Sequence, residues 1–307
     1  MTGDLKIYLI ILHLTSSSSR HPCPFCLTYK DVNGVWVDSP LRTLEGIIES
    51  YEQWQKSGGK KENLKEFYNS AGVPLLQPKN DGQLTYILSI LALPCLHLTL
   101  GPVNYLWKCL EDRVGLKLMD NLAKILNILK DDYQGKTFEG KACKTILGNT
   151  DVIRLYLEVI EKEEFLPFVD TLEAFEQVVE TCFGYSYHDN YEEKIEYFEK
   201  NWMNLKENFG ITIPNKCHIV FTHVKEFIFV KKVPLGQFSE QSLETCHQKW
   251  SQLWERSYKI RNLESELYGE RLLAFLLHFK AWNCLLYTYD ADDDYLRVDL
   301  GGRRIIK

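Results

Sequence analysis

The sequence predicts a mainly α-helical protein, on three observations. Most segments between residues 41 and 286 place apolar side chains three and four positions apart, the period of one helical face. Gly- and Pro-containing breaks separate those segments, at Ser57-Gly58-Gly59, Pro94 and Val233-Pro234-Leu235-Gly236. The chain of 307 residues is 45% hydrophobic and 25% charged, which suffices for a sizeable core. Its net charge of −6 excludes a protein that coats nucleic acid through overall charge, so a DNA contact has to run through a local patch.

The apolar run Leu5 to Leu14 is either a buried strand or a short buried helix, because periodicity does not separate the two at this length. With Thr15 to Ser19 behind it, the run also has the outline of a secretion signal. A positive leading segment is missing, however: Asp4 precedes the run and Lys6 lies inside it. We therefore expect an intracellular chain. No stretch reaches the ~20 apolar residues of a membrane span, and no membrane partner is expected.

Residues 15–40 read as a loop with a turn at Asn33-Gly34. Helices are expected over Leu41–Trp54, within Gln83–Leu93, over Leu96–Leu110 and over Leu116–Leu129. Asp151 is the expected N-cap of a helix from Val152 to Glu161. Further helices are expected over Leu172–Phe183 and Tyr191–Phe209, and from Pro214 to Val230. A helix capped by Ser239 should run to Lys259, with Leu243, Trp250, Leu253 and Trp254 on its apolar side, and another should cover Leu263–Leu286. Asp290 to Asp294 and Gly301 to Arg304 mark residues 287–307 as a disordered, solvated tail.

Nine cysteines, an odd number with one close pair, point to free thiols rather than a disulfide framework. The close pair is Cys23-Pro24-Phe25-Cys26, whose spacing lets two thiolates from one tight turn reach a tetrahedral ion. The matching pair is His218 and His223. On an ideal helix residues five apart differ by about 140° around the axis, which suits ligands near a helix end. With 191 residues between the pairs this is no DNA-reading finger but a clamp on two distant segments. Spacing alone leaves open a redox pair or four unrelated residues, with His21 and Cys217 as competing ligands. Likewise, spacing does not distinguish Asp4, Glu240 or Glu244 from the rest of the 42 acidic residues.

Several segments, in order, resemble one family. Gly3-Asp4-Leu5-Lys6, the apolar run and His21-Pro22-Cys23-Pro24-Phe25-Cys26 resemble the second catalytic aspartate and first zinc half-site of a DDE transposase. Leu96-His97 through Gly101 to Asn104 resembles that family's L-H-x-x-x-G-x-x-N segment. Phe138 to Leu147 resembles its G-N-x-x-R-K-L segment, with Lys141 in place of Asn and Lys144 near the basic pair. His218 to His223 resembles the second zinc half-site. Ser239-Glu240 to Glu244 resembles the segment with the final catalytic glutamate. The family is that of the Transib-like transposases and the V(D)J recombinase catalytic subunit, and the likeness covers roughly residues 1–260.

The resemblance implies an RNase H-like catalytic core interrupted by a large helical insertion. It divides the chain into a core remnant (1–20), a zinc-binding helical insertion (21–235), a catalytic-glutamate region (236–286) and the tail (287–307). Structural Zn2+ would be held by Cys23, Cys26, His218 and His223. Asp4 and Glu244 would be catalytic, working with Mg2+ or Mn2+ in two-metal strand cleavage and transfer. Lys141 and Lys144 would contact DNA at transposon ends, and the chain would pair as a homodimer. The family's first aspartate would lie ahead of residue 1, so this chain is expected to be inactive by itself. The alternative is a non-enzymatic, domesticated, zinc-stabilised helical module that binds DNA or protein.

Overall fold

The computed structural model describes residues 5–78, 82–130, 137–238, Tyr258, Leu267 and 270–275. By its internal contacts the chain divides into residues 1–240 and 241–307. In the second unit 270–275 are helical, and the buried Phe275 ring lies 5.6 Å from that of Tyr258. Leu263–Leu286 is thus described only over those few residues. The helix expected from Ser239 to Lys259 and the 287–307 tail lie outside the described residues, Tyr258 aside.

The apolar run at the start forms helix α1, Leu5–Ile11. Tyr8, Leu9 and Leu12 are buried while Ile7 and Ile10 face out, and that spacing is helical rather than the alternation of a strand. Among the described residues there is no β-strand, only the isolated bridges Leu14–Ser70, Cys26–Leu41, Lys30–Trp36 and Thr43–Tyr86. An RNase H-like core is built on a sheet, so the expected partial core is overturned, and residues 5–20 are not a remnant of it. No described helix is long and apolar enough to cross a membrane.

Helix α2 is Leu44–Lys56. The Thr43 hydroxyl accepts from the Gly46 amide at 3.0 Å to cap it, and Gly58 (φ 101°) and Gly59 (φ 62°) end it as expected. After a 3-10 turn over Lys61–Phe67 and the one-turn α3, Ile87–Ile90, the long α4 covers Cys95–Val114. Pro94 starts it, Gly115 (φ 106°) ends it, and Pro102 is accommodated within it. Then come α5, Leu116–Ile125; α6, Gly140–Leu147; and α7, Thr150–Val159. Asn149, not Asp151, precedes the first turn of α7, and Asp151 lies inside that turn, where a carboxylate favours the helix dipole. Helix α8, Leu166–Cys182, begins six residues before the apolar period suggested, because Pro167 sits at its start, where proline is tolerated. Helices α9, Tyr191–Phe209, and α10, Asn215–Lys231, complete the body.

Helices α8 and α9 pack along their length, and α10 lies against α4 and α9. An aromatic lattice fills the joint. Phe198 sits 4.7 Å from Phe175, 5.2 Å from Phe221 and 5.7 Å from Trp202, measured between ring centroids. Tyr105 stacks on Trp202 at 5.7 Å. Just past α10, Gly236 donates to the Gly184 carbonyl at 3.0 Å; a Cβ there would come within 2.3 Å of that oxygen, so only glycine permits the approach. Because Phe198 is fully buried, Phe198→Ala should cost about 3–5 kcal/mol of unfolding free energy, read from urea denaturation, with no change in metal content.

Candidate metal centre

The two half-sites come from unlike elements. Cys23 and Cys26 lie on an irregular turn that is tied to residues 40–42. Arg42 donates its amide to the Phe25 carbonyl at 2.8 Å, and Leu27 donates to Pro40 at 3.0 Å. The Phe25 amide points back at Cys23 Sγ, 3.4 Å away. A hairpin follows, turning at Asn33-Gly34 with Asp31 Oδ1 accepting from the amides of Asn33 and Val35. It brings Trp36 onto the site: its ring stands 5.0 Å from that of His218, and its Nε1 donates to the Ile213 carbonyl at 3.0 Å.

The histidines stand on α10, His218 as its fourth residue and His223 one and a half turns on. Placement near the helix start is what a five-residue spacing requires, and the rings meet at 5.3 Å, nearly perpendicular. Helix α10 is apolar on most of its circumference, with Cys217, Ile219, Val220, Phe221, Val224, Phe227 and Ile228 all buried. A helix of that kind lies inside the protein, so its polar side chains need internal partners.

Those partners are the cysteines. Cys26 Sγ lies 3.3 Å from His218 Nε2, and Cys23 Sγ lies 3.4 Å from His223 Nε2. All four ligand atoms fall within 4.8 Å of one another, and all four residues are buried. A tetrahedron with zinc–sulfur bonds of about 2.3 Å and zinc–nitrogen bonds of about 2.0 Å has sulfur–nitrogen edges of about 3.5 Å. Two edges therefore match, and the widest pair would draw in by about 1 Å on closing around such an ion. The donor set is two thiols and two imidazoles, and this group of residues can hold a metal ion.

Both rings offer Nε2, which leaves Nδ1 for outer partners. His223 Nδ1 is 2.7 Å from Glu226 Oε2, three residues along the same helix, and His218 Nδ1 is 3.5 Å from the Thr222 hydroxyl. A carboxylate behind a ligating imidazole fixes its tautomer and raises its basicity. The protonation pattern without metal reflects crowding. The hydrogen bond with Cys23, then burial, push the Cys26 thiol up to about 11. Burial opposes ionisation of Cys23, but hydrogen bonds from Cys26 and the backbone, and the Arg42 charge, outweigh it and lower its pKa. Burial disfavours the charged His223 ring, yet Cys26 and Glu226 hold its pKa up at about 9.

The competing ligands stand aside. His21 hydrogen-bonds the Leu27 carbonyl through Nδ1 at 2.7 Å and packs edge-on to Tyr29 and Tyr68. Cys217 is buried, outside the cluster, with its thiol pushed well above its usual range by burial. All seven cysteines among the described residues are free and buried. Lys141 and Lys144 lie exposed on α6.

Asp4 and Glu244, expected to be catalytic, lie outside the described residues. Among those described, no other group of three or more metal-ligating side chains gathers. With no sheet among the described residues to carry paired carboxylates, the expectation of a cut-and-paste transposase fragment with nuclease and strand-transfer chemistry is overturned. Two residues of the site carried no strong sequence signal. Glu226 was visible only as a carboxylate three residues after His223, and Arg42 had none. Comparison with known protein families finds none that matches the chain, and no curated protein is similar to it.

Metal ligands must shed their protons to bind, so affinity should fall as pH falls. At pH 7 the Cys26 thiol (about 11) and the His223 imidazolium (about 9) both carry a proton. Binding at pH 7 should therefore release at least two protons per ion, measured as the buffer dependence of the calorimetric binding heat.

Proposed function

We propose that this chain is a non-enzymatic helical module whose distant segments are pinned by one structural zinc ion, and that it binds DNA. The observation that carries the reading is the burial of four ligand atoms, two sulfurs and two nitrogens, at near-tetrahedral separation. Thiolate and imidazole donors favour Zn2+ over hard cations such as Mg2+. Four protein ligands leave no open position for water or substrate, which is the pattern of structural rather than catalytic zinc. The kinship we propose is with the helical insertion of the Transib-like transposases, not with their catalytic core. A nuclear location and a homodimer belong to the same reading.

DNA is favoured as partner by Lys141 and Lys144. They sit three residues apart on one side of α6, and both are exposed. The net charge of −6 confines attraction to such local sites.

Metal analysis should give about one zinc per chain, the stoichiometry of a single four-ligand site. Cys26→Ser should abolish it. Chelation should strip hydrogen-exchange protection from residues 5–43 while α8 and α9 keep theirs; a metal-free wild-type preparation with full protection at both places would overturn the reading.

For DNA, Lys141→Glu with Lys144→Glu should weaken duplex binding and lower the salt dependence of log K by about two, one for each lost phosphate contact. If the wild type binds no duplex even at low salt, a protein partner replaces DNA.

A further inference from the structure

We infer that Arg42 is the positioning residue of the Cys23–Cys26 turn, its buried guanidinium gathering the main-chain carbonyls of that turn so that both sulfurs are held ready for the metal. The inference rests on the zinc reading above. A C-x-x-C turn joins no sheet and no helix, so its carbonyls lack regular partners, and buried carbonyls require them. Here one side chain supplies them. Arg42 Nε donates to the carbonyls of both cysteines, at 2.9 Å for Cys23 and 3.0 Å for Cys26. Its Nη2 donates to the His21 carbonyl at 3.2 Å, and its Nη1 reaches the Tyr68 carbonyl at 3.1 Å. The guanidinium therefore spans the turn from before Cys23 to Cys26 and anchors it to the segment after the 3-10 turn.

Three features separate this from an ordinary surface arginine. Arg42 is 2% exposed. Among the described residues no carboxylate pairs with it; its partners are carbonyl oxygens, with the cysteine sulfurs and the Tyr68 phenol also favouring its charge. Its own backbone is fixed at both ends, the amide to Phe25 and the carbonyl to the Ile87 amide at 3.0 Å. Burial lowers its pKa only to about 10, so it stays charged at neutral pH. The planar fork suits this task. A lysine ammonium is a compact point charge on a flexible stem and does not reach four carbonyls in one plane.

The test uses the full chain and Zn2+, with affinity measured by competition against a chromophoric chelator and geometry read from the d–d spectrum of the Co2+ form. Arg42→Gln should weaken zinc binding about 10- to 100-fold, the usual consequence of losing an outer partner of a metal site. Arg42→Lys should not restore it, because planarity rather than charge is needed. Val178→Ala, in the fully buried core of α8, serves as the control. It should lower the unfolding midpoint while leaving zinc affinity and the Co2+ spectrum as in the wild type.

Zinc affinity within about twofold of wild type in either Arg42 variant, where losses of ~10-fold or more are expected, overturns the inference. If Arg42→Gln does not fold, Arg42→Lys decides by the same criterion. If neither folds at saturating zinc, Arg42 is a residue of the fold and its positioning role is overturned. Failure of the wild type to take up zinc sinks the zinc reading instead, and this inference with it.

Discussion

The contact between the Cys23–Cys26 turn and the start of α10 joins residues 192 and 200 positions apart. Closing so long a loop costs entropy that grows only as the logarithm of its length. A cross-link that pre-closes it in the unfolded chain is correspondingly valuable. In the chain-entropy account a link around a loop of this size contributes about 5 kcal/mol. Typical domain stabilities are about 5–15 kcal/mol, so a metal tie here has the same order as the net stability of the chain. Ordinary surface ion pairs have no comparable weight. Arg154, for instance, reaches both Asp170 and Glu173, but all three side chains are substantially exposed and the pairs contribute little.

The two sides of the contact are not equally dependent on it. Helix α10 is held from behind by apolar packing. Phe221 meets Phe198 and Trp202, and the helix lies against α4 and α9. The histidines are thereby held in place by core packing as well as by the cluster. The N-terminal layer has thinner support: Tyr8 donates its hydroxyl to the Ala92 carbonyl, Trp36 to Ile213, and Asn215 donates its amide to Pro22. Helices α1 and α2 do reach the common core, through Tyr8, Leu9, Leu44 and Ile47, but with fewer buried side chains than α4, α8 or α10. The cluster thus adds a tie between this layer and the packed helices.

This asymmetry explains what the sequence could reveal. Long helices declare themselves by apolar period: α9 runs over Tyr191–Phe209 and α10 starts after Pro214, both as the pattern indicates. The four ligands were legible as residue types at the right spacings, but only the resemblance implied that they meet, because nothing local in the chain encodes a contact across 192 positions. Helix α6 has only eight residues, with Cys143, Ile146 and Leu147 as its buried face, too short a run to show a helical period. The resemblance misled where it implied a sheet. Leu5–Ile11 is apolar enough for a buried strand, and only its packing, with Tyr8, Leu9 and Leu12 inside, shows a helix. Arg42 was invisible because arginine after a proline loop is ordinarily solvated.

Charge explains why such a site can be buried at all. Two thiolates and two neutral imidazoles around a divalent ion sum to zero, so the occupied centre carries no net charge into the interior. The outer partners then balance as well: the Arg42 cation bonds the carbonyls on the cysteine side, and the Glu226 carboxylate bonds His223 on the helix side. Without an ion the same atoms must satisfy one another. They do so through sulfur–nitrogen contacts, while Cys23 and burial hold the Cys26 thiol at about 11 and Cys26 and Glu226 hold the His223 ring at about 9. A dry pocket that forces its acids and bases into such protonation states is poorly suited to moving protons for a substrate, because all its donors and acceptors are spent on each other. It is well suited to a cation that replaces those protons and then never needs to leave.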